Sequence, residues 1–146
     1  MSSLASLYIV DVGDLPAIVS ATDLEEAVEE YGEEIGEGYT WSGDVLLNVL
    51  ENLEESGIRL ESAGLRESSE AIGADLGETT LIGSDAKALL GRLDPAAHRP
   101  GDLLDGPIDL GLDDEEAGHA MADTLSLLRD TIASLGDDQV LLVSID

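Results

Sequence analysis

A chain of 146 residues is long enough for one hydrophobic core, burying roughly 70% of the surface its unfolded form would expose. Its 33 acidic and six basic residues leave a formal charge of −27, a field that repels nucleic-acid phosphates and anionic membrane surfaces and favours basic proteins and cations as partners. Cysteine is absent, which excludes disulfides, thiolate catalysis, iron–sulfur clusters and cysteine zinc sites.

Hydrophobic residues make up 43% of the chain, but with no Phe and one Trp the interior must be filled by Leu, Ile, Val and Ala. The first residues carry no Lys or Arg and their apolar run stops at Asp11. Neither a signal peptide nor a membrane span is therefore expected, and the chain reads as a soluble cytoplasmic protein.

Residues 3–11, SLASLYIVD, predict a buried strand ended by Gly13-Asp14. Asp14 can cap a short helical run with Pro16 in its first turn. Thr22 or Asp23 then opens a helix expected to reach about Ile35, with Leu24, Ala27, Val28, Tyr31 and Ile35 facing inward. Its outer face would carry Glu25, Glu26, Glu29, Glu30, Glu33 and Glu34. Like charges one turn apart each cost roughly 0.2 to 0.5 kcal/mol in dilute salt, so the four pairs formed at that spacing would cost about 1 to 2 kcal/mol together.

Residues 41–60, WSGDVLLNVLENLEESGIRL, hold the clearest helix. Ser42 is placed as N-cap and Asp44 sits in the first turn, while Val45, Leu46, Val49, Leu50 and Leu53 form the apolar face. Gly57 is placed to end the helix in a left-handed conformation, and Ile58-Arg59-Leu60 alternates as a short strand would. Trp41 precedes the cap, where its ring can staple the incoming chain to the first turn.

Farther on, residues 61–76 show a loose helical pattern in Leu65, Ser69, Ile72 and Leu76. Thr79-Thr80-Leu81-Ile82 predicts a strand, and Ser84 or Asp85 can cap a helix through Ala88, Leu89 and Leu90 that stops at Asp94-Pro95. Residues 100–112 read as a packed irregular connection. A long helix follows, with acids at positions 113–116, a stripe of Ala117, Met121, Leu125, Leu128, Ile132 and Leu135, and Gly136 at its end. The last strand, residues 139–145, is apolar nearly throughout and belongs inside a sheet. The expected fold is a single α+β domain over residues 1–146: a small mixed sheet, including the N- and C-terminal strands, packed against several helices.

Motifs for chemistry are sparse. Asp105, Asp109 and Glu116 occupy three positions of a calcium loop, but Pro107 and Leu110 stand where ligand and turn glycine belong. Glu115, His119 and Asp123 lie four apart on the long helix and could face a metal, although no HExxH pattern accompanies them and His98, the other histidine, lies in a loop-like segment. Ser42 lacks the flanking glycines of a nucleophile elbow. The glycines at 32, 36 and 38 are surrounded by acids that repel phosphate. No cofactor, metal or catalytic residue is assigned on this basis.

The layout resembles the YfbM-like family of bacterial proteins of unknown function, through Ser-Leu-Ala-Ser-Leu-Tyr-Ile-Val at the start, Trp41-Ser42-Gly43 ahead of a leucine-rich helix, and a long helix leading to Val140-Leu141-Leu142-Val143-Ser144-Ile145. The resemblance covers about half of the chain and implies a small α/β-type domain without an established activity. The Trp-x-x-Leu-His pattern associated with that family is absent here.

Three functional expectations follow. The leading one is a non-enzymatic domain whose acidity adapts it to a salt-rich interior. An alternative is an interaction protein, such as an immunity-type inhibitor or a nucleic-acid mimic, presenting Glu26, Glu30, Glu33, Glu34 and Glu37 to a basic partner. The third is a carboxylate- or metal-dependent enzyme centred on Glu115, His119 and Asp123.

Overall fold

The computed structural model describes residues 5–35, 39, 41–104 and 112–145. The first strand, β1 (Ala5–Asp11), leads through a 3₁₀ turn into α1 (Leu15–Val19) and α2 (Leu24–Tyr31). A short strand, β2 (Glu33–Ile35), is followed by α3 (Gly43–Glu55) and α4 (Arg66–Leu76). Beyond β3 (Glu78–Gly83) lie a 3₁₀ helix (Ser84–Leu93), the turn α5 (Pro100–Leu103), the long α6 (Asp114–Ser134) and β4 (Gln139–Ile145).

The four strands form one sheet in the order β2-β1-β4-β3. The N- and C-terminal strands are neighbours at its centre, and all three pairings are antiparallel, where a mixed sheet had been expected. Side chains alternate across it. Leu7, Ile82, Leu141 and Val143 enter a core with α3, α5, α6 and the Ser84–Leu93 helix. Val10, Leu81, Val140 and Leu142 enter a second core with α1, α2 and α4. β4 is thus covered on both faces, which is why its sequence is a continuous apolar run rather than an alternation.

The helix expected to run from residue 23 to Ile35 stops at Tyr31. Asp23 does cap it, accepting from the Glu26 amide at 3.1 Å. At the far end Gly32 takes an extended conformation, and a Cβ there would stand 2.7 Å from the Val28 carbonyl and 3.2 Å from the side chains of Tyr8 and Val10. Only glycine lets the chain pass this close to β1 before pairing with it as β2. Like-charge repulsion along α2 and anions at its C-terminus oppose extension in the same direction. Tyr31, assigned to the inward face, is 42% exposed.

In α3 the expected face is buried at Val45, Leu46, Val49 and Leu53, while Leu50 is only partly buried. Ser42 occupies the N-cap position but its side chain makes no capping bond; its carbonyl accepts from the Val45 amide instead. At the other end Gly57 has φ +88°, the Ile58 amide donates to the Leu53 carbonyl at 2.8 Å and the Gly57 amide to Glu54 at 3.0 Å. This double bond pattern satisfies the last carbonyls and turns Ile58 back onto Leu53. Residues 58–60 form no strand. Ile58 and Leu60 are buried, and the segment meets β3 only at its end, where the Ser62 amide donates to Leu81.

Residues 84–93 coil as a 3₁₀ helix, and neither Ser84 nor Asp85 caps it; Asp85 accepts from the Ser62 hydroxyl at 2.6 Å. Asp94 caps the turn beyond, accepting from the Ala96 amide. In α6, Asp113 and Glu116 form a reciprocal capping box, and the expected stripe from Ala117 to Leu135 is buried.

Gly57→Ala should cost about 1 to 2 kcal/mol, because a Cβ is disfavoured at this φ. Gly91→Ala, where a Cβ meets open space and φ is not positive, should be near neutral. Urea unfolding of both variants checks the difference; equal costs would contradict the assigned role of Gly57.

Candidate functional site

The acidic residues singled out in the sequence do not form one stripe. Glu26 and Glu30 stay one turn apart on α2, whereas Glu33 and Glu34 belong to an edge strand, where successive side chains leave on opposite faces. All four are exposed. Glu37 lies outside the described residues, as do Asp105 and Asp109 of the calcium-loop pattern. Glu34 pairs in register with Tyr8, whose hydroxyl donates to it at 3.4 Å. Burial raises the Tyr8 pKa, and the charges of Glu34, Glu29 and Glu25 raise it further, so these three carboxylates share one field.

The trio on α6 does not assemble. His119 approaches Glu115 at 4.0 Å with both side chains largely in solvent, while Asp123 is engaged elsewhere, accepting from the Trp41 indole at 2.9 Å. Among the described residues no group of three or more His, Asp or Glu is placed to hold a metal ion. His98 directs Nε2 to the Arg92 carbonyl at 2.5 Å, an ordinary loop contact.

Trp41 thus ties the start of α3 to the middle of α6. Tyr39 makes a parallel contact, its hydroxyl 2.9 Å from Thr124 Oγ1. Since the Thr124 hydroxyl already donates to the Ala120 carbonyl at 2.7 Å, Tyr39 is the donor of that pair. Burial pushes the Tyr39 pKa up to about 12, opposed by the Thr124 hydroxyl, which can turn to donate to the phenolate, and assisted by the charge of Asp123. Nothing in local periodicity connects residues 39 and 41 with 123 and 124.

A cleft of about 810 Å³ runs along the outer side of β3. Leu47, Leu50, Glu51 and Glu54 of α3 line one wall, Arg66, Ser69, Glu70 and Gly73 of α4 the other, and residues 59–61 and 77–80 the base and end. Two of the chain's six basic residues stand here, each beside a carboxylate: Arg59 at 3.6 Å from Glu54 and Arg66 at 3.8 Å from Glu70. These exposed pairs contribute roughly 0 to 1 kcal/mol each. Burial raises the Glu61 pKa, with Arg66 opposing it. The lining carries hydrophobic, hydroxyl, carboxylate and guanidinium groups but no histidine, a set suited to holding a polar or cationic chain. No sequence motif marked this cleft, because its walls come from segments that meet only in the fold.

A smaller hollow of about 360 Å³ contains Ser62 and Asp85. Ser62 Oγ donates to Asp85 and accepts from the Gly83 amide at 3.0 Å, and a Cβ on Gly83 would stand 2.7 Å from both side chains. The serine is occupied in holding the end of β3.

The Tyr39 contact sets an alkaline limit on stability. A phenol whose folded pKa lies above the ordinary value near 10 contributes fully below pH 10 and loses that contribution as pH climbs through 12. Unfolding free energy should therefore fall by about 2 to 3 kcal/mol across that window, and Tyr39→Phe should remove most of the slope. Urea titrations at a series of alkaline pH values test this; an unchanged slope in the variant would contradict it. No family model, curated protein or solved structure matches the chain.

Proposed function

We propose that the chain is a non-enzymatic domain whose acidity keeps an aliphatic body hydrated and compact in concentrated salt. The observation that carries this reading is the placement of the carboxylates. Every described Asp and Glu is exposed except Asp14 and Glu61, which are partly so, and none is buried. They occur on helices of both layers, on both edge strands and at the turns, the distribution that solvation requires and that docking through one face does not. The four ion pairs among the described residues also lie at the surface, so none of the negative charge described there is compensated internally.

At molar salt the Debye length falls to about 3 Å, from about 30 Å in dilute buffer, so repulsion among these side chains is largely screened. Nearly complete absence of lysine fits the same reading. A relationship to the YfbM-like family belongs to this proposal too, supported by Trp41-Ser42-Gly43 directly ahead of the leucine-rich α3. No described helix is long and apolar enough to cross a membrane.

The melting temperature should rise by on the order of 10 °C between dilute buffer and molar KCl, as a few kcal/mol of repulsion are relieved. Differential scanning calorimetry over a KCl series reads this directly. A flat response would remove salt adaptation as the reason for the charge.

A further inference from the structure

Edge strands end a sheet with unpaired main-chain groups, and natural folds usually cover or blunt them. β2, at one edge, is three residues long and carries Glu33 and Glu34. β3, at the other, is covered along only part of its length. The Leu81 amide donates to Ser69 Oγ at 3.2 Å, the Leu81 carbonyl accepts from the Ser62 amide at 3.1 Å, and the Gly83 amide donates to Ser62 Oγ at 3.0 Å. Residues 81 and 83 therefore direct their main-chain groups away from β4.

In an antiparallel ladder the N–H and C=O of one residue point the same way, and the direction alternates along the strand. The register of β3 on β4 is unbroken from Glu78 to Gly83, so Thr79 also faces outward. Neither its N–H nor its C=O has a partner among the described residues. The cleft opens at this point, with α3 on one side of the sheet edge and α4 on the other. Of the residues 77–80 that line it, Gly77 already donates its amide to Gly73 and accepts from the Thr79 hydroxyl, and Glu78 and Thr80 point to β4, so the attachment point for an extended segment is the N–H and C=O of Thr79.

Charge selects the occupant. Both lining arginines already stand beside Glu54 and Glu70, whereas Glu51, Glu61 and Glu78 have no cation within ion-pair distance among the described residues. Leu47, Leu50 and Leu60 supply apolar surface next to these carboxylates. The geometry points to a docking site for an extended, lysine- or arginine-bearing segment of a partner protein, which joins β3 at Thr79 and alternates apolar with basic side chains. Main-chain pairing supplies the attachment, and the alternate side chains supply the choice of partner. In concentrated salt only charges at contact range discriminate, so the cleft carboxylates matter and the distant α2 face does not.

The choice of the cleft carboxylates over the α2 face rests on the salt-adapted reading, but the test here is binding rather than melting, so the two fail separately. The probe is a fluorescent peptide of about ten residues alternating valine and lysine, titrated by anisotropy in about 0.5 M KCl. Binding should weaken at least about tenfold in Glu51→Gln/Glu61→Gln/Glu78→Gln and stay within about twofold in Glu26→Gln/Glu30→Gln/Glu33→Gln. Thr79→Pro removes an outward N–H without touching the β3–β4 ladder and should cost at least about tenfold as well. Should that variant not fold, Thr79 amide exchange in the unaltered protein decides, with slowing of at least about tenfold by the peptide expected. No binding, equal effects of the two glutamine triples, or unchanged Thr79 exchange would each overturn the proposal.

Discussion

Both layers of this protein hang on the pairing of Ala5–Asp11 with Gln139–Ile145. Seven residue pairs join opposite ends of the described chain, so the intervening helices are folded over a sheet whose two central strands come from its termini. β4 then serves two cores at once: Leu141, Val143 and Ile145 on one face, Val140 and Leu142 on the other. A strand used in this way has no solvent face on which to place a charge. Its register is strongly specified, because a slip of one residue would exchange the two sets of side chains between differently shaped cores.

The absence of Phe and the excess of carboxylate follow one division of labour. The interior is Leu, Ile, Val and Ala with Met121, and Trp41 and Tyr39 are only partly buried, each using its polar tip to bind α6. Carboxylates are left to the exterior, where they also act locally: Asp23 and the Asp113–Glu116 pair cap helices, and Glu34 accepts from the Tyr8 hydroxyl. Charge that is surplus to these contacts repels itself in dilute buffer, and salt relieves that repulsion without altering any contact in the core.

Elements with self-contained signals were legible in the sequence. The strand over residues 139–145, the stripe of α6 and the stop at Gly57 each depend on residues close to one another in the chain. The misread elements depend on distant partners. The end of α2 is set by β1 passing within contact distance of Gly32, and the absence of a strand at residues 58–60 reflects one main-chain bond to β3, made by Ser62, instead of a ladder. The 3₁₀ geometry of Ser84–Leu93 goes with Asp85 turning toward Ser62 rather than capping the helix. For the same reason the acidic stripe was visible as composition but not as a divided surface, and the cleft beside β3 was not visible at all. Its walls become neighbours only after β4 has brought β3 into the sheet.

Native-state hydrogen exchange of the β4 amides, compared in dilute buffer and molar KCl, tests the central claim most directly. If β4 is the shared spine of both cores, amides from Val140 to Val143 exchange only through global unfolding, and their opening free energies match the unfolding free energy and rise with it as salt is added. Exchange of these amides through local opening, faster than global unfolding and indifferent to salt, would contradict both the position given to β4 and the role given to the charge.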